Sequence, residues 1–425
     1  MTVSSADDLI AFIDDSPSPY HAANNAAALL AAAGFSDATG NPGALPQLGY
    51  LRSGAMLLAW AQPAEPDGIA AVRIVGAHTD SPNLRIKPHA DLGGSGMRRL
   101  AAEPYGGALL NSWLDRDLGL SGRVALRRGD AVVDVLFRVD EPVLRVPQLA
   151  IHLDRDVSSS GLLLNKQQHL NPVWGLGDPE PGEFVSWLAE AIDADPDDIV
   201  GWEAMCHDLT PSRRIGVDRE LLAAPRLDNL CSSFGALQAV LAAGGDHDSI
   251  VIAALFDHEE IGSETATGAG GPHLAALVER LWSDAGATPG ERAEALGRSR
   301  ILSADMAHGT HPNYPERHEP NHHITLGGGP VLKVNVNGRY ATDSLTGGEF
   351  MALCRDLSVP SQTYAHRADL ACGSTIGPIS AARLGIATAD VGMAQLSMHS
   401  ARELMAVDDV DHMVRAFTAW ALASV

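Results

Sequence analysis

Wholly apolar runs alternate with helix-length amphipathic stretches through most of this chain. SIVIAALF (249–256) is apolar throughout after its leading Ser. A strand of that pattern is buried on both faces, as inside a parallel sheet. AAVRIVGA (70–77), RILSA (300–304) and IATADVGM (386–393) predict further strands of that kind. Helices are predicted between them. LDNLCSSFGALQAVLAAGG (227–245) ends in a Gly pair; 272–285, 346–357, STIGPISAARLG (374–385) and 408–423 follow. Residues 6–35 predict two helices broken at Ser16-Pro17-Ser18-Pro19, the second Ala-rich and stopped at Gly34.

The pattern changes between residues 91 and 225. GRVALRRGDAVVDVLFRV (122–139) places β-branched runs on either side of Gly129-Asp130, which predicts a hairpin. Pro142, Pro147, Pro172, Pro179 and Pro181 then punctuate loops. The economical reading is an α/β protein in which a mainly parallel sheet is covered by helices in three αβα layers. Residues 1–90 and 226–425 form that unit, and 91–225 form a mainly β insert. The longest irregular stretch is 305–331, and a loop of that length in a compact protein is usually functional. Its His308, His311, His318, His322 and His323 are irregularly spaced. That favours loop hydrogen bonding or subunit contact over a second metal site.

Composition narrows the class. A chain of 425 residues with 45% hydrophobic content can bury a sizeable core, in more than one domain. No run of about 18 apolar residues occurs, so no membrane-spanning helix is expected. The acidic N-terminus lacks the basic-then-apolar order of a signal peptide. The four cysteines form no CxxC pair and fit a reducing cytoplasm. The net charge of −23 repels nucleic acid and anionic lipid. An acidic substrate would therefore need a buried cation at short range.

Five metal-ligand side chains stand at element junctions: His78, Asp228, Glu260, Asp305 and His399. Their strings are AHTDSP, RLDNL, DHEEIGS, SADMAHG and SMHSARE. His78, Glu260 and Asp305 follow predicted strands, which hold an ion rigidly. Zinc accepts imidazole nitrogen and carboxylate oxygen. Asp228 can bridge two ions, with His78 and Asp305 completing one and Glu260 and His399 the other. On an extended segment Glu259 and Glu260 point to opposite sides, so one can bind metal while the other takes a water proton. Asp80 is placed to orient the His78 imidazole. A non-catalytic metal-binding scaffold is the rival from another class; Glu259 argues against it, because a closed structural site has no use for a second carboxylate. Lys333 lies among Val331, Leu332, Val334 and Val336, where burial calls for an anionic partner or an edge strand that lets it reach water.

These strings resemble the aspartyl aminopeptidase family, the zinc exopeptidases of family M18. AHTDSPNLRIKP, LAIHLDR, RLDNLCSSFGAL, DHEEIGSETATGAGGP, HPNYPERHEPNHH, GPVLKVNVNGRYATDS, CGSTIGPISAARLG and QLSMHSARE carry the resemblance, in order, from the first helices to the C-terminus. GLLLNKQQHLNPVWG (161–175) matches only in outline. The resemblance implies a zinc-exopeptidase-like fold and removal of N-terminal Asp or Glu from peptides with two Zn2+ per subunit. It places His78, Asp228, Glu260, Asp305 and His399 as metal ligands, Glu259 as general base and Asp80 as the His-orienting residue. It implies that Lys333 meets the acidic substrate side chain and that Tyr340 holds the carbonyl oxygen. It implies that the insert is a dimerisation domain, with His152 reaching a neighbour's active site and dimers assembling into a tetrahedral dodecamer. A broad-specificity or deblocking aminopeptidase on the same fold is the closer alternative.

Overall fold

The computed structural model describes residues 6–64, 68–244 and 247–424. The predicted helix end at Gly245 and the first five residues of the 1–90 segment lie outside them. Alternation decides how each central strand faces. In Ile250–Phe256, Val251, Ala253 and Leu255 pack into one core, while Ile250, Ile252, Ala254 and Phe256 pack into another. Val72–His78 divides likewise, with Val75 and Ala77 on the first side and Val72 and Ile74 on the second. Successive side chains of a strand point to opposite faces, so this sheet needs apolar cover on both. Helices Ala6–Asp14, Leu227–Ala242 and Asp408–Leu422 cover the first face through Leu9, Leu230 and Phe417. Helices His273–Asp284, Pro289–Arg298 and Ile376–Leu384 cover the second through Leu277, Ala295 and Ile376. Each such Leu or Phe contributes about 1.5–3 kcal/mol by burial. The outcome is three αβα layers.

Among the described residues the central sheet has nine strands. Their order is Ser36–Asp37, Leu48–Ser53, Met56–Ala61, Ile250–Phe256, Val72–His78, Arg300–Ala304, Ala387–Gly392, Val331–Val334 and Gln362–Ala365. The fourth to seventh of these are mutually parallel, so their carboxyl ends share one edge. The strands flanking them, Met56–Ala61 and Val331–Val334, run antiparallel. Helix Pro289–Arg298 escaped the pattern reading because it buries only Ala295. Its start chemistry was nonetheless present: Thr288 and Glu291 form a capping box, with Pro289 in the first turn.

A separate antiparallel sheet occupies the middle of the chain. Its order is Ala131–Leu144, Leu118–Arg128, Ile199–Asp208, Asn83–Gly94, Met97–Tyr105 and Val173–Leu176. Arg128 pairs with Ala131, so Gly129-Asp130 is the hairpin turn. The first of these strands begins at Asn83, upstream of residue 91 where composition shifts, because it continues almost directly from the His78 edge. This sheet has its own core, including Leu84, Leu120, Phe184 and Leu188. A third sheet joins Arg213–Ile215, Leu221–Ala224, Glu403–Ala406, Ala394–Leu396 and Ala307–His308. It ties the exit of the insert to the segments on either side of His399. The far end of the 305–331 loop is anchored by buried Asp409, which accepts from Gly327 N at 2.8 Å and Gly329 N at 2.9 Å.

Candidate active site

Adjacent parallel strands deliver most of the candidate ligands to one edge. His78 ends its strand, and Thr79 N donates to Phe256 O of the neighbouring strand at 2.8 Å. Asp305 follows Arg300–Ala304, and its N donates to Val391 O at 2.9 Å. Asp228 sits in the first turn of Leu227–Ala242 with non-helical angles, φ −84° and ψ 102°. Three hydrogen bonds lock that turn to the strand ends. Ser81 Oγ donates to Asp228 O (2.6 Å), Ser233 Oγ to His78 O (2.7 Å) and Asn229 Nδ2 to Ala304 O (2.8 Å).

All five predicted ligands meet. Asp228 Oδ1 is 3.5 Å from His78 Nε2, and its Oδ2 is 3.4 Å from His399 Nε2. His78 Nε2 is also 3.7 Å from Asp305 Oδ1, and His399 Nε2 is 3.4 Å from Glu260 Oε1. The far nitrogens are held alike. His78 Nδ1 lies 3.0 Å from Asp80 O and His399 Nδ1 lies 3.2 Å from Gly107 O. A carbonyl can only accept, so each Nδ1 carries hydrogen, which leaves Nε2 as the nitrogen that faces a metal. Asp228 Oδ1 and Glu260 Oε1 are buried without a hydrogen-bond partner. Buried carboxylate oxygens without donors are costly. Imidazole nitrogen plus carboxylate oxygen is a zinc donor set, so these residues fit that ion. Two triples, His78–Asp228–Asp305 and Asp228–Glu260–His399, each bring their ligand atoms within 4.8 Å of one another; His78–Glu259–Glu260 does so as well.

The protein charges alone leave this pocket over-supplied with acid. Burial pushes the Glu259 carboxyl up to about 8; His78 opposes the rise, and Asp305 and Asp228 add to it. Burial and the Asp228 carboxylate raise Glu260 too. His78 is held well above its ordinary range: burial opposes this, but the close carboxylates of Asp228, Asp305 and Asp80 prevail. Divalent cations would offset that repulsion.

Three expectations change in detail. Glu259 and Glu260 do not lie on an extended segment. His258 adopts the left-handed conformation (φ 62°) and Glu259–Ile261 form one tight 3-10 turn. Asp80 holds that turn, its Oδ1 accepting from Glu259 N (3.1 Å) and its Oδ2 from Glu260 N (3.2 Å). His78 Nδ1 donates to Asp80's main-chain oxygen at 3.0 Å, while the Asp80 carboxylate stands 3.4 Å from Nδ1. Lys333 is not on an edge. Its strand lies between Ala387–Gly392 and Gln362–Ala365, and it is 3% exposed. Its Nζ is 3.6 Å from Asp305 Oδ2 and 5.5 Å from the Tyr340 ring centre.

Asp228, Glu259, Asp305, Lys333, Tyr340 and His399 line one cavity of about 160 Å³. Among the described residues lining it, Lys333 is the one Lys or Arg. His152 stands exposed in the insert, outside that lining. Glu403 was missed by sequence reasoning. It is buried, and its carboxylate accepts from Asp228 N (3.0 Å) and His399 N (2.8 Å), fixing two candidate ligands at once. The signal was an acid four residues after His399, inside SMHSARE.

A buried imidazole–carboxylate cluster at the carboxyl edge of a three-layer sheet is the site of a metal-dependent hydrolase. The chain belongs to the M18 family, described as aminopeptidase I zinc metalloprotease, which matches residues 12–420. It is 48% identical over 420 residues to a probable M18 family aminopeptidase 2 of Streptomyces coelicolor, covering 97% of this chain and 96% of that one. It superposes on a chain of the Ape4 and Nbr1 complex with a TM-score of 0.93 at 33% identity, covering 98% and 85% of the two chains. The corresponding values for the S. cerevisiae mApe1 dodecamer are 0.84, 27%, 98% and 97%. The protein is thus similar throughout to metallo-aminopeptidases and is a zinc-dependent hydrolase of that family. Among the described residues no helix is long and apolar enough to cross a membrane.

Proposed function

We propose that this M18 aminopeptidase uses two zinc ions per subunit to release N-terminal Asp or Glu from peptides. The observation that carries the two-ion reading is the split of Asp228, whose two oxygens face different imidazoles. His78 and Asp305 would complete one site, Glu260 and His399 the other. Zinc bound there supplies Lewis acidity toward the scissile carbonyl and lowers the pKa of water. Glu259 is the base: it takes a proton from the attacking water and returns it to the leaving amine as the C–N bond breaks. Asp80 keeps Glu259 and Glu260 in their turn, and Tyr340, which lines the same cavity, would hold the substrate carbonyl oxygen.

Acid specificity is assigned to Lys333. A surface of −23 repels an anionic peptide end, so preference has to arise at contact range. A charge-assisted hydrogen bond is worth about 1.5–3 kcal/mol, or roughly 10–150-fold in kcat/KM. Lys333→Met is expected to lose about that much against Asp peptides while changing Ala and Leu peptides little. Retained preference for acidic N-termini in the variant would remove Lys333 from this role. The 3.6 Å approach to Asp305 favours a second reading, in which Lys333 balances that carboxylate and the specificity is broad. Rates on Asp-, Glu-, Ala- and Leu-initiated peptides separate the two.

Assembly belongs to the same proposal. The exposed Leu149, Ile151 and Leu153 surround His152 and suit a subunit contact. With the dodecameric relative, they support a dodecamer, which we take as cytoplasmic and tetrahedral, built from dimers through 91–225, with His152 entering a neighbour's site. Sedimentation of the full chain should show the dodecamer, and His152→Ala should lower kcat without dissociating it. A fully active monomer would contradict this.

A further inference from the structure

The two halves of the metal centre both lean on Asp80, but their other supports come from different parts of the molecule. His78 and Asp305 are fixed by Asp80 O and Val391 O, both next to the central sheet. The Glu260–His399 half is fixed by the stretch Tyr105–Leu109, where the chain leaves the insert sheet. The Tyr105 hydroxyl donates to Asp80 Oδ2 at 2.7 Å, and that same oxygen accepts from Glu260 N. Tyr105 is itself buried, with the Arg85 guanidinium 3.6 Å from its ring centre.

Gly106 follows with φ +68°, and a Cβ there would stand 3.0 Å from Glu260 Cβ and 3.3 Å from Glu260 O. Only glycine combines that backbone angle with that approach. Gly107 O then accepts from His399 Nδ1 at 3.2 Å, and Leu109 N donates to His399 O at 2.9 Å. One short segment thus touches the Glu260 backbone, the Glu260 side chain, the His399 ring and the His399 backbone.

We infer that Tyr105–Leu109 is the positioning element of the Glu260–His399 zinc site, so that the insert sets how tightly that one ion is held. The inference rests on the two-zinc reading. Groups that orient a metal ligand typically change metal affinity by about 10–100-fold when removed. Disturbing this segment should therefore loosen one ion of the pair and spare the other. The insert then serves chemistry inside its own chain, apart from any role in assembly.

The test uses the zinc-loaded full-length enzyme, titrated with a chelator while bound zinc is counted by mass spectrometry. The parent should release two ions per chain in two steps, and His399→Ala should identify the step that belongs to the Glu260–His399 site. Gly106→Ala should move that step to about 10–100-fold lower chelator and leave the other step in place, and Tyr105→Phe, which acts through the Asp80 oxygen that holds Glu260 N, should move that step further than the His78–Asp305 step. Added zinc should restore kcat in Tyr105→Phe, which a general loss of structure would not allow. Both steps unmoved, or both moved equally, overturns the inference while leaving the two-zinc reading intact. A parent that binds one ion per chain overturns both. If Gly106→Ala fails to fold, Tyr105→Phe decides alone.

Discussion

Glu259→Gln should lower kcat by about 10²–10⁴-fold while zinc content stays at the parental level. The amide keeps the size of the carboxylate but cannot take the water's proton. Glu259 Oε2 is 3.9 Å from His78 Nε2, the longest of that imidazole's carboxylate approaches, and Glu259 lies outside both triples that share Asp228. Burial already biases this carboxyl toward proton capture. Kinetics on an Asp-initiated peptide, with zinc assayed on the same sample, check the expectation. Zinc loss with an intact residual rate would exchange the roles of Glu259 and Glu260.

Asp228→Asn should have the other large effect, and it should fall on both ions together. A neutral amide offers one oxygen, whereas Asp228 directs one oxygen at each imidazole. Removing a direct ligand should exceed the roughly 10–100-fold affinity loss that follows removal of a group which merely orients one. Peptidase activity should disappear with the metal. Dialysis against a weak chelator followed by metal analysis is the check; two ions still bound would exclude Asp228 as the bridge.

The αβα frame was legible because its central strands are apolar on both faces, as SIVIAALF shows. The meeting of the five candidate ligands was legible because His78, Asp228 and Asp305 sit at strand or helix ends that share one edge of the fold. The local geometry of Glu259 and Glu260 was not legible. Alternation on an extended strand was the available rule, but the Asp80 carboxylate gathers both N–H groups into a turn, and its partner lies 179 positions away in sequence. Lys333 stands on a four-residue strand, too short for periodicity to tell edge from interior. Nothing local in the sequence marks the contact of Tyr105 and the Gly106-Gly107 pair with Glu260 and His399.

The central claim is that two zinc ions share Asp228. Anomalous diffraction at the zinc edge from crystals of the zinc-loaded enzyme tests it most directly. The account predicts two peaks per chain, one within ligand distance of His78 and Asp305, the other of Glu260 and His399, both beside Asp228. A single peak per chain in a fully active sample, or a second peak away from Asp228, would contradict it.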